Sequence, residues 1–597
     1  MPNKGIKLDI YSYNIFEKKV IIKVRARICE TSEELLESKL FLAVLKRCVR
    51  HLQKRNSPLL EIFGGIDIDA EGILALARTL KVLAGIPIGL VPNLVEGSEV
   101  FLKNKKSLND FIEYLYNFWR DFDRFIICTS EIEDIDKRPY RTFSRTAEVL
   151  AHLVRGTYRH LQENITGKHP RVYRQVTAGA EVAAVAQPKP VKLPQGPYEK
   201  LSGVPIIRQA LIYPPLVLYP PMNKRTGRFE KVDINPLEKV DIDPRKWICY
   251  PARVGPLNIH IYIQHRFYEL GFSLANLFEL IEEPEIGKRP DAVYVFGVEE
   301  EKIKDMAENP TIFYDDSAND ILVAAVPNSK RFGYFGYLKK MVLTLHNIIM
   351  MKRGRLPFHG AMVNIMLTDG NSATLLLIGD TGAGKSETLE AFRVLGEDHI
   401  REMVIIADDM GSLDIGEKGD IKGYGTEIGA FLRLDDLQPG YAFGQIDRAI
   451  IMSPSMTNAR IVLPVTNIET VLKSWNIDFV LYCNNYENID PEHPIIDISK
   501  NYREAIDIFR EGMVMSKGTT TSTGLAHSYF ANIFGPPQYR ELHERLAGRF
   551  FKGFFESGVK VGQIRTRLGI PGYEIKGPQQ AAKKLLQLIS KQSVTPG

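Results

Sequence analysis

Along nearly the whole chain, short unbroken apolar runs alternate with stretches whose apolar residues recur every three or four positions. The runs VIIKVRA near residue 20, PLLEIFGGIDI near residue 60 and RFIICTS near residue 125 predict strands, and EGILALARTLKVL between them predicts a helix. Residues 1–175 therefore read as a mixed α/β domain whose role no motif assigns. Within it, residues 142–165 (TFSRTAEVLAHLVRGTYRHLQENI) predict a long amphipathic helix rich in basic residues. A solvated face is the ordinary explanation of such a charge run, and a basic contact surface for a protein partner is the alternative.

The pattern breaks at residues 176–200, TAGAEVAAVAQPKPVKLPQGPYEK, where alanine and proline dominate. Proline fixes the backbone and removes a donor, so this segment reads as a linker. Pro214, Pro215, Pro220 and Pro221 predict turn-rich chain beyond it. Two further α/β regions follow, over 201–350 and 351–597. Near their junction, KKMVLTLHNIIMMKR predicts an amphipathic helix that begins at Lys339-Lys340, where surface lysines are the default. No internal repeat is visible.

Composition narrows the class. The chain has 597 residues, 44% hydrophobic and 25% charged, too long for one core and balanced as a globular protein is. A disordered chain, a fibre and a disulfide miniprotein are excluded. No run of about eighteen apolar residues offers a spanning helix, and the charged N-terminal stretch does not read as a secretory signal. A net charge of +5 over this length gives no reason to expect nucleic acid. Five cysteines without a C-x-x-C pair suit a reducing compartment, so a cytoplasmic enzyme is expected.

The sharpest chemical signal is Gly379-Asp380-Thr381-Gly382-Ala383-Gly384-Lys385-Ser386, with the apolar run Thr374–Ile378 before it and a helical pattern, from Glu387 onward, after it. This is G-x-x-x-x-G-K-S in the strand–loop–helix setting that the motif requires. Glycines let backbone N–H groups turn towards phosphate oxygens, and a helix N-terminus adds partial positive charge. Lys385 would reach the β- and γ-phosphates, and Ser386 would offer its hydroxyl to Mg²⁺. Downstream, the apolar run Met403–Ala407 ends in Asp408-Asp409, where metal ligands or a general base belong. Upstream, His359 precedes the apolar stretch Ala361–Leu367. A lone histidine is more often structural than a ligand, and His359 gains weight only from its neighbours.

Together HGAMVNI, GDTGAGKSET and VIIADDM resemble the kinase domain shared by HPr kinase/phosphorylase and phosphoenolpyruvate carboxykinase. Four further segments resemble the carboxykinases alone: Thr226-Gly227-Arg228, the stretch Tyr334–Lys340, Asn458-Ala459-Arg460 followed by Pro464, and residues 518–539. Lys340 lies 19 residues before His359, the separation expected of two carboxykinase metal ligands. The resemblance covers about residues 220–570 and implies a two-lobed α/β fold with a P-loop-containing mixed-sheet C-terminal lobe. The α/β domain at the N-terminus would be additional.

The resemblance further implies Mn²⁺ held by a neutral Lys340, His359 and Asp409. Arg228 and Tyr334 would bind the substrate carboxylate, and Arg460 would bridge the γ-phosphate and the forming enolate. The implied reaction is metal-dependent decarboxylation of oxaloacetate coupled to phosphoryl transfer, giving phosphoenolpyruvate, with ATP, GTP or pyrophosphate as the phosphoryl partner. Met410-Gly411 follow the Asp pair where carboxykinases carry Glu-His, and the base-binding residues are unassigned, with Arg565 and Arg567 as candidates. Two rival readings stay open. One is a kinase acting on a protein serine or a metabolite hydroxyl, with Asp408 as general base. The other is a catalytically silent nucleotide sensor.

Overall fold

The computed structural model describes residues 11–25, 28–129, 138–396, 399–434, 445–517 and 523–591. The chain divides into two compact units, Met1–Pro188 with Ile207–Tyr213, and Lys189–Ile206 with Pro214–Gly597. Both are mixed α/β, and none of their sheets closes into a barrel.

In the first unit, Tyr11–Phe16 and Lys19–Val24 form an antiparallel hairpin, and Asp123–Cys128 and Val182–Gln187 join it in parallel. The helices Lys39–Gln53, Ala70–Leu83 and Lys105–Arg120 start at Ser38, Asp69 and Asn104, whose side chains accept from backbone N–H groups of the first turn. Their apolar faces bring Leu45, Leu76, Leu80, Leu108 and Phe111 into one core with the strand residues Val20 and Ile22. The helix expected over 142–165 spans Arg138–Thr166.

The expected linker at 176–200 is corrected in its first half. Val182–Gln187 is a strand buried along its whole length. A parallel strand covered on both faces needs unbroken apolar character in place of alternation, and small side chains suit close packing there. The approach is tight: a Cβ on Gly179 would lie 2.6 Å from that of Ala151 on the long helix. The alanines and glycine that read as a linker are here the mark of close packing.

In the second unit, one sheet runs in the order Trp247–Val254, Leu257–Gln264, Ala292–Val298, Ile321–Pro327, Ile312–Asp316, Glu230–Val232. Another is organised by the long strand Leu356–Leu367, which pairs with Ser372–Ile378 on one side. On its other side it pairs first with Met410–Ile415 and then with Ile400–Ala407. That change of partner brings the turn at Asp408-Asp409 against His359 and Gly360. Gly429–Arg433 and Arg460–Pro464 are paired in a smaller sheet.

The helix Phe335–Lys352 is a second correction. It is buried from Phe335 to Met351 on almost every face, and Lys339 is 1% exposed. A helix that is apolar nearly all round belongs inside a core, and its lysines are there for a reason other than solubility. Among the described residues, no helix is long and apolar enough to cross a membrane, and the five cysteines are buried and free.

Candidate active site

Residues 379–384 link the strand Ser372–Ile378 to the helix Lys385–Gly396. Gly382 and Gly384 hold φ of 80° and 97°, a region that side chains other than glycine's rarely enter. A Cβ on Gly384 would also sit 2.6 Å from the Thr566 hydroxyl. Thr566 Oγ1 donates to the Ala383 carbonyl at 2.7 Å, and Asn485 Nδ2 donates to that of Gly382 at 2.9 Å. These bonds hold the loop's carbonyls outward. Lys385 Nζ turns back onto the carbonyls of Gly379 and Asp380. Ser386 is exposed, and Ser528 Oγ donates to Asp380 Oδ2 at 2.9 Å. The loop could receive phosphate oxygens, with Lys385 and Ser386 as the side chains at hand.

Asp409 is gripped from two sides. Lys339 Nζ lies 2.8 Å from Oδ2, and His359 Nε2 lies 3.0 Å from Oδ1. His359 Nδ1 faces the Ala531 carbonyl, which leaves Nε2 as the nitrogen directed at the carboxylate. Glu427 meets the same lysine at 3.3 Å. Burial would push the Asp409 carboxyl up, but Lys339 and His359 override it and hold it well below the usual range. Burial and then the Asp409 charge push Asp408 up to about 6. Burial likewise takes Glu427 up to about 8, against the pull of Lys339. Two adjacent carboxyls with opposed shifts are the pattern of divided acid–base roles.

The two lysines differ in the same way. Burial works against the charge of Lys339, yet Asp409 and Glu427 keep it firmly protonated. Burial, followed by the nearby Arg225, brings Lys340 down to about 8. Its Nζ rests 5.0 Å from the Phe534 ring centre. Of the pair, Lys340 is the one able to lose its proton and offer a lone pair.

Arg460 lies 5.4 Å over the Phe431 ring, its Nε is buried without a partner, and the Tyr334 hydroxyl is next to it. The sequence expectation for Arg228 meets a different geometry. Arg228 is exposed, and its carbonyl accepts from Thr311 Oγ1 at 2.7 Å. Arg225, three residues earlier, is the arginine drawn in among Tyr334, Tyr337 and Lys340. Its segment is pinned by Tyr337, whose hydroxyl donates to the Thr226 carbonyl at 2.9 Å, and by Asn458 Nδ2, which donates to the Asn223 carbonyl at 2.6 Å. Among the described residues, Arg225, Lys340 and Arg460 form no ion pair. Two arginines left without an anion beside a lysine of lowered pKa make a receptacle for one.

No family model matches this chain, and no curated protein matches it.

For a metal, no group of three or more His, Cys, Asp and Glu stands ready among the described residues. The set Lys340, His359 and Asp409 contains only two such residues, and those two are in direct contact. Two nitrogens and one carboxylate, with Lys340 brought down to about 8, could hold a first-row divalent cation, and the donor set does not single out Mn²⁺. Arg565 is committed elsewhere, to Glu487 at 2.8 Å and the Pro494 carbonyl, and Arg567 lies over the Tyr573 ring at 4.0 Å. Thr566 between them is the residue that touches the loop. Gly518–Ser522, the start of the late motif, lie outside the described residues.

Sequence reasoning missed Arg225, Lys339, Glu427, Phe431 and Phe534. Arg225 had a faint signal as another basic residue of the T-G-R segment. Glu427 carried one too, as a lone acid between glycines and isoleucine in GTEIGA.

Proposed function

We propose that this protein is a carboxykinase-like phosphotransferase, coupling decarboxylation of oxaloacetate to phosphoryl transfer from a nucleoside triphosphate or pyrophosphate, on a two-lobed fold with a P-loop. The observation that carries the reading is the pair Arg225 and Arg460, which both act on Tyr334 and form no ion pair among the described residues, beside Lys340, brought down to about 8. A phosphoryl acceptor with one hydroxyl has no need of two unpaired arginines. A dicarboxylate that becomes an enolate does.

In this reading Arg225, supported by Tyr334, takes a substrate carboxylate, and Arg460 neutralises charge between the phosphoryl group and the enolate. Lys385 holds the phosphates with the backbone of Gly379–Gly384, and Ser386 and Asp408 assist Mg²⁺. Lys340, His359 and Asp409 would hold Mn²⁺, which supplies Lewis-acid stabilisation of the enolate. The aromatic walls Phe431 and Phe534 keep water from protonating it. A coupled assay for phosphoenolpyruvate from oxaloacetate, run with ATP, GTP and pyrophosphate in turn, tests this. Turnover lost in Lys340→Ala supports the proposal. ATP hydrolysis that needs Lys385, with no phosphoenolpyruvate from any donor, overturns it.

One observation favours a second reading. Asp408, raised to about 6, is suited to removing a proton from an acceptor hydroxyl, as in a protein-serine or metabolite kinase. In that case Asp408→Asn abolishes transfer while Arg225→Met leaves it intact.

A further inference from the structure

One short segment of the second unit reaches both the loop 379–384 and His359, and it holds a backbone that its residues resist. Phe530, Ala531 and Asn532 follow one another at φ of 45°, 59° and 60°. A left-handed residue other than glycine ordinarily stands alone, and three in succession persist only where their surroundings hold them. Ala531 N–H donates to the Ser528 carbonyl at 2.7 Å, and Asn532 N–H donates to that of Tyr529 at 3.0 Å. The buried Phe530 ring meets Tyr529 and His543 edge-on, with centroids 4.9 and 4.7 Å away. Just beyond the turn, the Phe534 carbonyl accepts from Asn347 Nδ2 at 2.9 Å.

The two ends of the turn lead to different parts of the site. At one end Ser528 Oγ donates to Asp380 Oδ2 at 2.9 Å. At the other the Ala531 carbonyl faces His359 Nδ1, and the Phe534 ring centre lies 5.8 Å from that of His359 and 5.0 Å from Lys340 Nζ. A cavity of about 10 Å³, bordered by Phe530, His359 and Ile378, leaves the packing incomplete between turn and histidine.

We propose that Ser528 and the turn Phe530–Asn532 are positioning residues that transmit phosphate binding at the loop to His359. To hold a phosphate, Lys385 has to leave the carbonyls of Gly379 and Asp380, and Asp380 carries the bond to Ser528. A phosphate gripped by the loop fixes Asp380, and Asp380 then fixes Ser528. The strained turn is thereby held with its Ala531 carbonyl on His359. The proposal rests on the reading of residues 379–386 as a phosphate site and is independent of the acceptor.

Hydrogen exchange of the full chain, with and without an excess of ATP and Mg²⁺ or of pyrophosphate, tests it. Either ligand should slow exchange across residues 379–386 and, by about tenfold, at the amides of Ala531 and Asn532. In Ser528→Ala the loop should still be protected, while the turn responds by less than about twofold. Ser528→Thr, which keeps the hydroxyl, should restore the response. Protection of the loop with no response at Ala531 and Asn532 overturns the proposal, and so does a full response in Ser528→Ala. Failure of both ligands to protect the loop overturns the phosphate reading itself, and the proposal falls with it.

Discussion

The two units bury arginines to opposite ends. In the first, Arg124 is 1% exposed and fully employed. Its Nε donates to the Gly179 carbonyl at 2.6 Å, its Nη1 to those of Trp119, Arg120 and Phe122, and its Nη2 to Glu181 at 3.0 Å. It ties the strand Asp123–Cys128 to the segment before the strand Val182–Gln187. In the second unit Arg225 and Arg460 are drawn inward and, among the described residues, pair with no anion. A buried charge whose donors are all used is part of the framework, whereas one left over is waiting for something to arrive.

That contrast is open to attack by substitution. Arg124→Met should cost the most stability, about 3–5 kcal/mol, because it strands Glu181 and several carbonyls together. Denaturant unfolding monitored in the first unit checks this, and a loss under 1 kcal/mol would break the comparison. Arg460→Met should do the reverse, with activity falling on the order of 10²–10³-fold and the melting temperature unchanged or raised. A marked drop in melting temperature would show that Arg460 too is framework.

Acid should separate the units next. Burial brings His260, His346 and His543 of the second unit from 6.5 down to about 4. Their folded rings stay neutral while the unfolded ones take a proton below about 6.5, so stability is whole above that pH and is lost as pH falls towards 4. Each contributes a slope of up to about 1.4 kcal/mol per pH unit in that window. The histidines of the first unit are exposed or half-exposed, so hydrogen exchange should show the second unit loosening first. The smallest effect expected is that of Thr566→Val, about 1 kcal/mol from the lost bond to Ala383. Weaker nucleotide binding in that variant, with near-normal stability, would tie the loop's shape to its use.

Much of this was legible in the chain. The apolar run before Gly379 and the helical pattern from Glu387 gave the loop its setting, and the run before Asp408 placed the acid pair at a strand end. What stayed hidden depended on three-dimensional company. Adjacent lysines point about 100° apart on a helix, so Lys339 finds Asp409 and Glu427 while Lys340 finds Phe534. No pattern marked which was which, because the helix around them has no polar face. Arg225 and Arg228 share one short basic segment, and only the hold of Tyr337 and Asn458 on its backbone decides which goes inside. The Ala-rich strand misled for the reason that makes it work, since the small residues that look like a linker are those that fit between layers.

The first unit is not contiguous in the chain. Its last piece, Ile207–Tyr213, returns after 18 residues that belong to the second unit. Leu211 and Tyr213 pack on its core, and Tyr213 N–H donates to the Glu181 carbonyl at 3.0 Å. On the ribosome, this unit cannot finish folding when Pro188 emerges and must wait until Tyr213 has left the exit tunnel. A fragment expressed to residue 188 would carry the bare edge of Val182–Gln187 into solution, ready to pair with its own kind. One carried through Tyr213 brings the strand that covers it.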